Sequence, residues 1–274
     1  MENLFKERFI NIYNKWEGMN LNLYQKDVFS AYKSNSQRIR VLTEHWMDNN
    51  MFCPACLNPR ISPFPNNMPV ADFFCSNCNE QFQLKSQKSV FGKRILDGAY
   101  RQMMQSIVNN ARPNFFLMKY DAGYYIERLF LLPSFFFTET VIEKRKPLSE
   151  KARRAGWVGC NILLNKIPPE GIIKIIEDKI LQNKNLVLSQ WEKISFIKNK
   201  PLPERGWTVD ILRIVHSIDK KEFALSDVYE YEEELAKDYP NNNYIKAKIR
   251  QQLQILRDKG ILKFKERGRY LAVR

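Results

Sequence analysis

Residues 52–88 read FCPACLNPRISPFPNNMPVADFFCSNCNEQFQLKSQK. The stretch contains two Cys-x-x-Cys pairs, Cys53 with Cys56 and Cys75 with Cys78, and an Asp72 followed by Gln83-Leu84-Lys85. Eighteen residues lie between the pairs, the spacing of a four-thiolate zinc site. Two residues between paired cysteines let both sulfurs turn toward one ion about 2.3 Å away. Pro59, Pro63, Pro65 and Pro69 discourage helix and strand in the loop between, which leaves the metal as its main organiser. Disulfides would need an oxidising compartment, and Met1-Glu2-Asn3-Leu4-Phe5-Lys6-Glu7 lacks the apolar run of a signal peptide. The expectation is therefore a structural Zn²⁺ on Cys53, Cys56, Cys75 and Cys78 in a cytoplasmic protein, weighed against four unrelated core thiols. Four thiolates leave no open position for catalysis at that ion. Cys160 stands alone and reads as a buried small hydrophobe.

The second half of the stretch carries different chemistry. Val70–Phe74 and Gln81–Ser86 are predicted as short strands with the second cysteine pair in the turn between them. Alternation places Gln83 and Lys85 on one face and Phe82 and Leu84 on the other. If Asp72 faces the same way, a carboxylate, an amide oxygen and an ammonium converge. Such a set suits metal-assisted phosphodiester hydrolysis: Asp72, Gln83 and the Leu84 backbone carbonyl are hard oxygen ligands for Mg²⁺, and Lys85 orients water or stabilises developing charge. The plainer reading is an ordinary surface ion pair of Asp72 and Lys85.

Composition bounds the rest. The 274 residues are enough for a mixed α/β domain and a small second domain. With 44 Lys+Arg against 30 Asp+Glu the net charge is +14, which points to a polyanionic partner, nucleic acid before an anionic membrane. The longest apolar patch, Leu129–Phe137, is broken by Pro133 and is too short to span a bilayer. Only His45 and His216 occur, which weakens mechanisms built on a histidine base; His45 beside Trp46 reads as a helix-packing residue.

In chain order, Leu4–Trp16 is predicted as an amphipathic helix, and a second helix from about Ser36 buries Ile39, Leu42 and Trp46. Its Glu44 reads first as a solvated charge and second as a further metal ligand. Ala99–Val108 is predicted helical, and Asn114–Tyr120, Tyr125–Leu132 and Gly171–Ile176 as strands, so a central mixed sheet flanked by helices is expected. From Glu143 to Trp157 six basic and two acidic residues end in Gly156-Trp157, a candidate DNA-facing loop with Arg153 and Arg154 for phosphates or guanine edges. Ser195–Arg205, with Pro201 and Pro203, is expected to be a linker. Beyond it are predicted a helix from Thr208 to Ser217, an acidic helix capped by Ser226 and running to about Asp238, a helix over Asn243–Lys259, and two strands around Arg267-Gly268, the plan of a winged helix. Ile245, Ile249, Leu253 and Leu256 form one stripe of the third helix, and Asn243, Lys246, Arg250, Gln254 and Arg257 the other. Lys265, Arg267, Arg269 and Tyr270 on the wing, Lys263–Tyr270, are expected backbone contacts. Residues 241–274 hold ten basic and two acidic residues, more than half of the excess charge.

Six fragments, PVADFFCSNCNEQFQLKSQK, YKSNSQRIRVLTEHW, LDGAYRQMM, ARRAGWVGCNI, RGWTVDIL and IRQQLQILRDKGI, resemble the DpnI-like methyl-directed (type IIM) restriction endonucleases of the PD-(D/E)xK superfamily, from about Tyr32 to the C-terminus. The resemblance implies an α/β PD-(D/E)xK nuclease core over 1–195 with an inserted four-cysteine zinc site, and a winged-helix DNA-binding domain over 206–274. It also implies Mg²⁺-dependent cleavage of double-stranded DNA at GATC carrying N6-methyladenine, with both domains reading the site. Asp72 takes the metal-binding position and Lys85 the catalytic one. Gln83 stands where the pattern usually has Glu, which keeps an oxygen ligand but removes a charge. Trp157, which from its sequence alone could equally fill a core position, becomes a contact for the adenine methyl, since an apolar face rewards a methyl group by about 1–3 kcal/mol. The protein is expected to act as a monomer away from membranes. The competing class is a non-catalytic zinc-ribbon and winged-helix regulator.

Overall fold

In a computed structural model, which describes residues 16, 18–65 and 71–273, the described elements start with α1 (Lys26–Ala31), α2 (Asn35–Asn50), β1 (Ser62–Pro63), β2 (Phe73–Phe74) and β3 (Gln81–Gln87). They continue through β4 (Arg94–Ala99), α3 (Tyr100–Val108), β5 (Asn114–Tyr120), β6 (Ile126–Leu132), β7 (Ile142–Lys144), β8 (Gly159–Leu163), β9 (Ile173–Glu177) and β10 (Ile180–Leu181). The C-terminal part is α4 (Lys184–Ser195), α5 (Leu202–Ser217), β11 (Glu222–Ala224), α6 (Leu225–Tyr229), α7 (Glu232–Asp238), α8 (Ile245–Asp258), β12 (Leu262–Glu266) and β13 (Arg269–Ala272). The predicted Leu4–Trp16 helix, except for its last residue, and Val70 lie outside the described residues. No described helix is long and apolar enough to cross a membrane.

Two compact units result. The first takes the described residues of Met1–Phe91, Arg112–Ser134 and Ile172–Glu192. Its core is a seven-stranded mixed sheet in the order β1-β2-β3-β5-β6-β9-β10, in which β3 and β5 run parallel and the other neighbours antiparallel. Phe115, Phe116, Leu117 and Met118 on β5 are all buried, as a central strand covered on both faces requires. α2 packs on β3 through a stripe that includes Leu42 and Trp46, with the Trp46 indole N–H donating to the Asn20 carbonyl at 2.9 Å. His45 is on the outer side of that helix, exposed and 3.1 Å from the Asn49 side chain, so it is not a packing residue. A period of 3.6 puts it 100° from buried Trp46, which residue type alone does not reveal.

The second unit takes Gly92–Ala111, Phe135–Gly171 and the described residues of Lys193–Arg274. It holds a three-stranded sheet in the order β4-β8-β7 and the C-terminal helix-turn-helix with its own sheet, β11-β13-β12. The expected linker is shorter than Ser195–Arg205, because α5 starts at Leu202 rather than Thr208. Pro201 is its N-cap and Pro203 lies in its first turn, where N–H groups have no intrahelical acceptor, so neither proline breaks it. Arg205 is buried, with Nη2 donating to the Ile107 carbonyl at 3.3 Å. Gly206 admits Tyr239, whose hydroxyl oxygen would lie 2.8 Å from a Cβ there; that ring stacks on Trp207 at 4.0 Å and its hydroxyl donates to buried Asp210 at 2.6 Å.

The predicted acidic helix is two helices. Ser226 is inside α6 rather than capping it; the cap is Ala224, whose N–H donates to the Asp227 carboxylate at 2.9 Å. The chain turns at Glu230 and Tyr231, and α7 restarts with Glu232, Glu233 and Glu234 in its first turn, where the helix dipole favours acids. The wing has a third strand, β11, paired with β13.

Candidate metal sites and nucleic-acid interface

The four cysteines sit on two copies of one local structure. In the first, the Leu57 N–H donates to the Cys53 carbonyl at 2.9 Å and the Cys53 N–H to the Asn58 carbonyl at 2.8 Å. In the second, Asn79 donates to Cys75 at 2.9 Å and Cys75 to Glu80 at 2.9 Å. Both turns close through a residue with positive φ, Leu57 at 57° and Asn79 at 61°. Asparagine tolerates this conformation; leucine does not readily, so the first turn carries strain. The four sulfurs lie within 4.8 Å of one another, with Cys53 and Cys78 at 3.5 Å and Cys56 and Cys75 at 3.6 Å. A tetrahedron with 2.3 Å bonds has edges of about 3.8 Å, so the set fits zinc. Donors converge on the sulfurs as well: Asn58 Nδ2 is 3.5 Å from Cys75 Sγ and Asn77 Nδ2 3.4 Å from Cys56 Sγ. Burial pushes the Cys75 thiol up, but the backbone N–H groups of Cys78 and Asn77 and the Asn58 amide outweigh it and bring it down to about 7. Cys160 is buried apart, its Sγ 3.4 Å from the Gly98 carbonyl.

The second knuckle leads straight into β3. β2 pairs with β3 through Phe73 with Phe82 and Phe74 with Gln81, and the Asp72 N–H donates to the Phe82 carbonyl at 2.9 Å. Bonding to the carbonyl already opposite Phe73 makes the ladder irregular at Asp72, so the register does not carry it to the Gln83 level. The expected meeting of Asp72 with Lys85 on one face is not seen: Lys85 is not among the residues that line the cavity beside Asp72. β2 ends there, and the Asp72 carboxylate takes the place of the next ladder partner by accepting the Leu84 N–H at 2.7 Å. An extended residue turns its N–H and C=O toward the same edge, so the Leu84 carbonyl leaves β3 on the Asp72 side. Asp72, Gln83 and Leu84 line a cavity of about 550 Å³ whose opposite wall is α2, with Arg40 and Glu44. Gln83 Oε1 is buried and accepts no hydrogen bond. Burial holds the Asp72 carboxyl above its ordinary range, against the opposing pull of the Leu84 N–H and the charges of Arg40 and Lys85. An oxygen set with a buried unpartnered amide oxygen fits a hard divalent cation. The half-buried Lys85 has its ammonium 5.1 Å from the Phe115 ring centroid.

The basic loop is a hairpin extension of β7 and β8. Arg145 donates to Gly159 at 3.0 Å, Leu148 to Trp157 at 2.9 Å and Gly156 to Leu148 at 3.0 Å, with Gly156 at φ 75° closing the return. Trp157 is half-buried, its indole so close over Gly159 that a Cβ there would fall 2.7 Å from the ring, while the Arg154 guanidinium lies 4.8 Å from its centroid. Arg153 and Arg154 are exposed.

On α8, Ile245, Ile249, Leu253 and Leu256 are buried and Lys246, Arg250, Gln254 and Arg257 exposed; Asn243 precedes the helix. Several of these cations already have partners. Lys246 pairs with Glu232 at 3.0 Å, Arg250 donates to the Tyr229 hydroxyl at 2.8 Å, and Arg257 pairs with Asp258 at 2.7 Å. On the wing, Glu222 of β11 holds Lys265 at 2.7 Å and approaches Arg269 to 3.9 Å, while Arg267 is exposed at the turn. Sequence reasoning missed Glu222, because a three-residue strand carries no periodic signal. It also missed Arg40, whose spacing of four from Glu44 was available, and Tyr244, 77% exposed at the start of α8.

Residues 19–200 match the DpnI, or Dam-replacing, family, and residues 203–272 match the Dam-replacing HTH domain. The two matches take in the cysteine cluster, the Asp72 cavity, the basic loop and the winged helix. The chain is thus a member of the DpnI, or Dam-replacing, family of methyl-directed restriction enzymes.

Proposed function

We propose that the protein is a Mg²⁺-dependent type II endonuclease that cuts double-stranded DNA at adenine-methylated sites, G(N6-methyl-A)TC, and acts as a monomer. Functionally it divides into an endonuclease domain over 1–195 and a DNA-reading domain over 206–274. The observation that carries the reading is the cavity beside β3, lined both by a carboxylate anchored to the strand edge and by a residue whose buried amide oxygen has no partner. Asp72, Gln83 and the Leu84 carbonyl hold the cation. Magnesium supplies Lewis acidity at the phosphoryl oxygen and a water nucleophile near neutral pH. Lys85, on the Gln83 face, stabilises charge that develops on the phosphate. Cys53, Cys56, Cys75 and Cys78 hold a structural Zn²⁺ that fixes the turn between β2 and β3, and with it the distance from Asp72 to Gln83.

Recognition falls to two surfaces. Trp157 gives the adenine methyl an apolar face, held flat by Gly159 and Arg154, and Arg153 and Arg154 take phosphates or guanine edges. On the winged helix, Asn243, Lys246, Arg250, Gln254 and Arg257 enter the major groove, with Lys265, Arg267 and Arg269 on the backbone. One methyl contact discriminates by about 1–3 kcal/mol, so two readers in series are needed for a usable ratio.

The test is cleavage of plasmid with and without adenine methylation, in Mg²⁺ and in EDTA, for the parent and Lys85→Ala. Fragments are expected only from methylated plasmid in Mg²⁺. Lys85→Ala is expected to lose about 10²–10³-fold in rate while its DNA affinity in Ca²⁺ is kept. Binding without cutting by the parent would instead make it a DNA-binding regulator.

A further inference from the structure

The cavity wall carries two acids and one guanidinium in close company. Arg40 and Glu44 lie one turn apart on α2, with the Arg40 Nε–H donating to Glu44 Oε1 at 2.7 Å. The Arg40 charge also acts on Asp72 across the cavity, and all three residues line it. Helix energetics do not explain this placement. A basic residue N-terminal to an acid at a spacing of four is the weaker order, and an exposed pair of this kind contributes little. The Arg40 side chain is 61% exposed and held by Glu44 alone among the described residues, so little packing opposes a turn toward solvent or a ligand.

A divalent cation on Asp72 and a guanidinium beside it are like charges competing for the same acids. The anion that enters with the cation is a DNA phosphate, for which a planar guanidinium is a well-matched donor. We propose that Arg40 is a placeholder and then a phosphate anchor: it balances Asp72 and Glu44 until the cation binds, and turns to a phosphate of the bound strand afterwards. This rests on reading Asp72 as a metal ligand. It requires Arg40 to oppose cation binding in the free protein and to favour DNA binding in the loaded complex, two effects of opposite sign.

Zinc-loaded full-length parent, Arg40→Gln, Arg40→Lys and Asp72→Asn, checked for matching circular dichroism spectra, separate the possibilities. Mn²⁺ affinity without DNA is read from the electron paramagnetic resonance of free Mn²⁺, and affinity for a methylated duplex in Ca²⁺ from fluorescence anisotropy. Arg40→Gln is expected to tighten Mn²⁺ about threefold and to weaken the duplex about threefold. Arg40→Lys, which keeps the charge but not the fork, is expected to keep the parent's Mn²⁺ affinity and weaken the duplex. If Arg40→Gln moves both affinities the same way, or neither, while Asp72→Asn abolishes Mn²⁺ binding, the placeholder role is wrong and the metal site stands. If Asp72→Asn leaves Mn²⁺ binding unchanged, the metal reading fails and the role of Arg40 falls with it.

Discussion

Residues 52–88 build two sites of opposite character a few residues apart, a cysteine cluster that could hold a metal ion and the cavity at Asp72 where we propose a cation. Around the cysteines the chain supplies everything: four sulfurs, two matching turns, and amide donors aimed at the thiolates. Around Asp72 it stops short, leaving an amide oxygen without a partner, a carboxylate held above its ordinary range by burial, and an arginine leaning in from the facing helix. Completion makes the first site a fixture. Under the proposed function, incompletion leaves the second site room for a cation and a phosphate.

The largest expected effect tests the fixture. Zinc binding to small thiolate sites contributes about 10–16 kcal/mol, comparable with the whole stability of an ordinary domain. Cys75→Ser is therefore expected to release zinc and to unfold the first compact unit, read by metal content together with circular dichroism in urea. A zinc-free but folded variant would show that the knuckles hold themselves, and the contrast with the open site would vanish. Next comes the charge missing at the open site. Gln83→Glu adds a carboxylate where the amide now stands and is expected to lower the cation concentration needed for half-maximal cleavage and for Mn²⁺ binding about tenfold, since ligand charge sets affinity for hard cations. An unchanged requirement would remove Gln83 from the ligand set.

The smallest effect is a slope in pH. Because burial raises the Asp72 carboxyl, the folded chain holds a proton there more tightly than the unfolded chain does. Its contribution to stability is then greatest below the unfolded value and is lost as pH rises through the folded one. Asp72→Asn removes that loss, so without magnesium the variant is expected to lose less of its urea midpoint than the parent between about pH 4 and pH 7. Equal slopes would mean that Asp72 is solvated like any surface acid and that the cavity is no different from the rest of the surface.

What could be read in advance followed from spacing and periodicity. The cysteine spacing, the central strands Asn114–Tyr120 and Ile126–Leu132, and the buried stripe of α8 each rest on patterns internal to one segment. The sheet of β4, β8 and β7 was out of reach. β4 reads RILDGA and leaves Leu96 65% exposed, and β7 has only three residues, so neither shows the alternation that marks a strand. The early start of α5 was hidden by the same prolines that signalled a linker. Helix tolerance of proline depends on position within the first turn, which is defined only once the helix start is known. Arg40 and Glu222 were missed because their meaning is relational: each is an ordinary charged residue until the fold sets it beside two opposite charges.

Glu222 has a consequence for how tightly this protein would grip a duplex as ionic strength changes. Lys265 already carries Glu222 as an internal counterion 2.7 Å away, and Arg269 carries Glu266 at 3.2 Å as well as Glu222 at 3.9 Å. When a phosphate displaces those carboxylates, no small ion is released to the solution, so these contacts add little to the dependence of affinity on salt. Counting phosphate contacts from such a slope would undercount the wing.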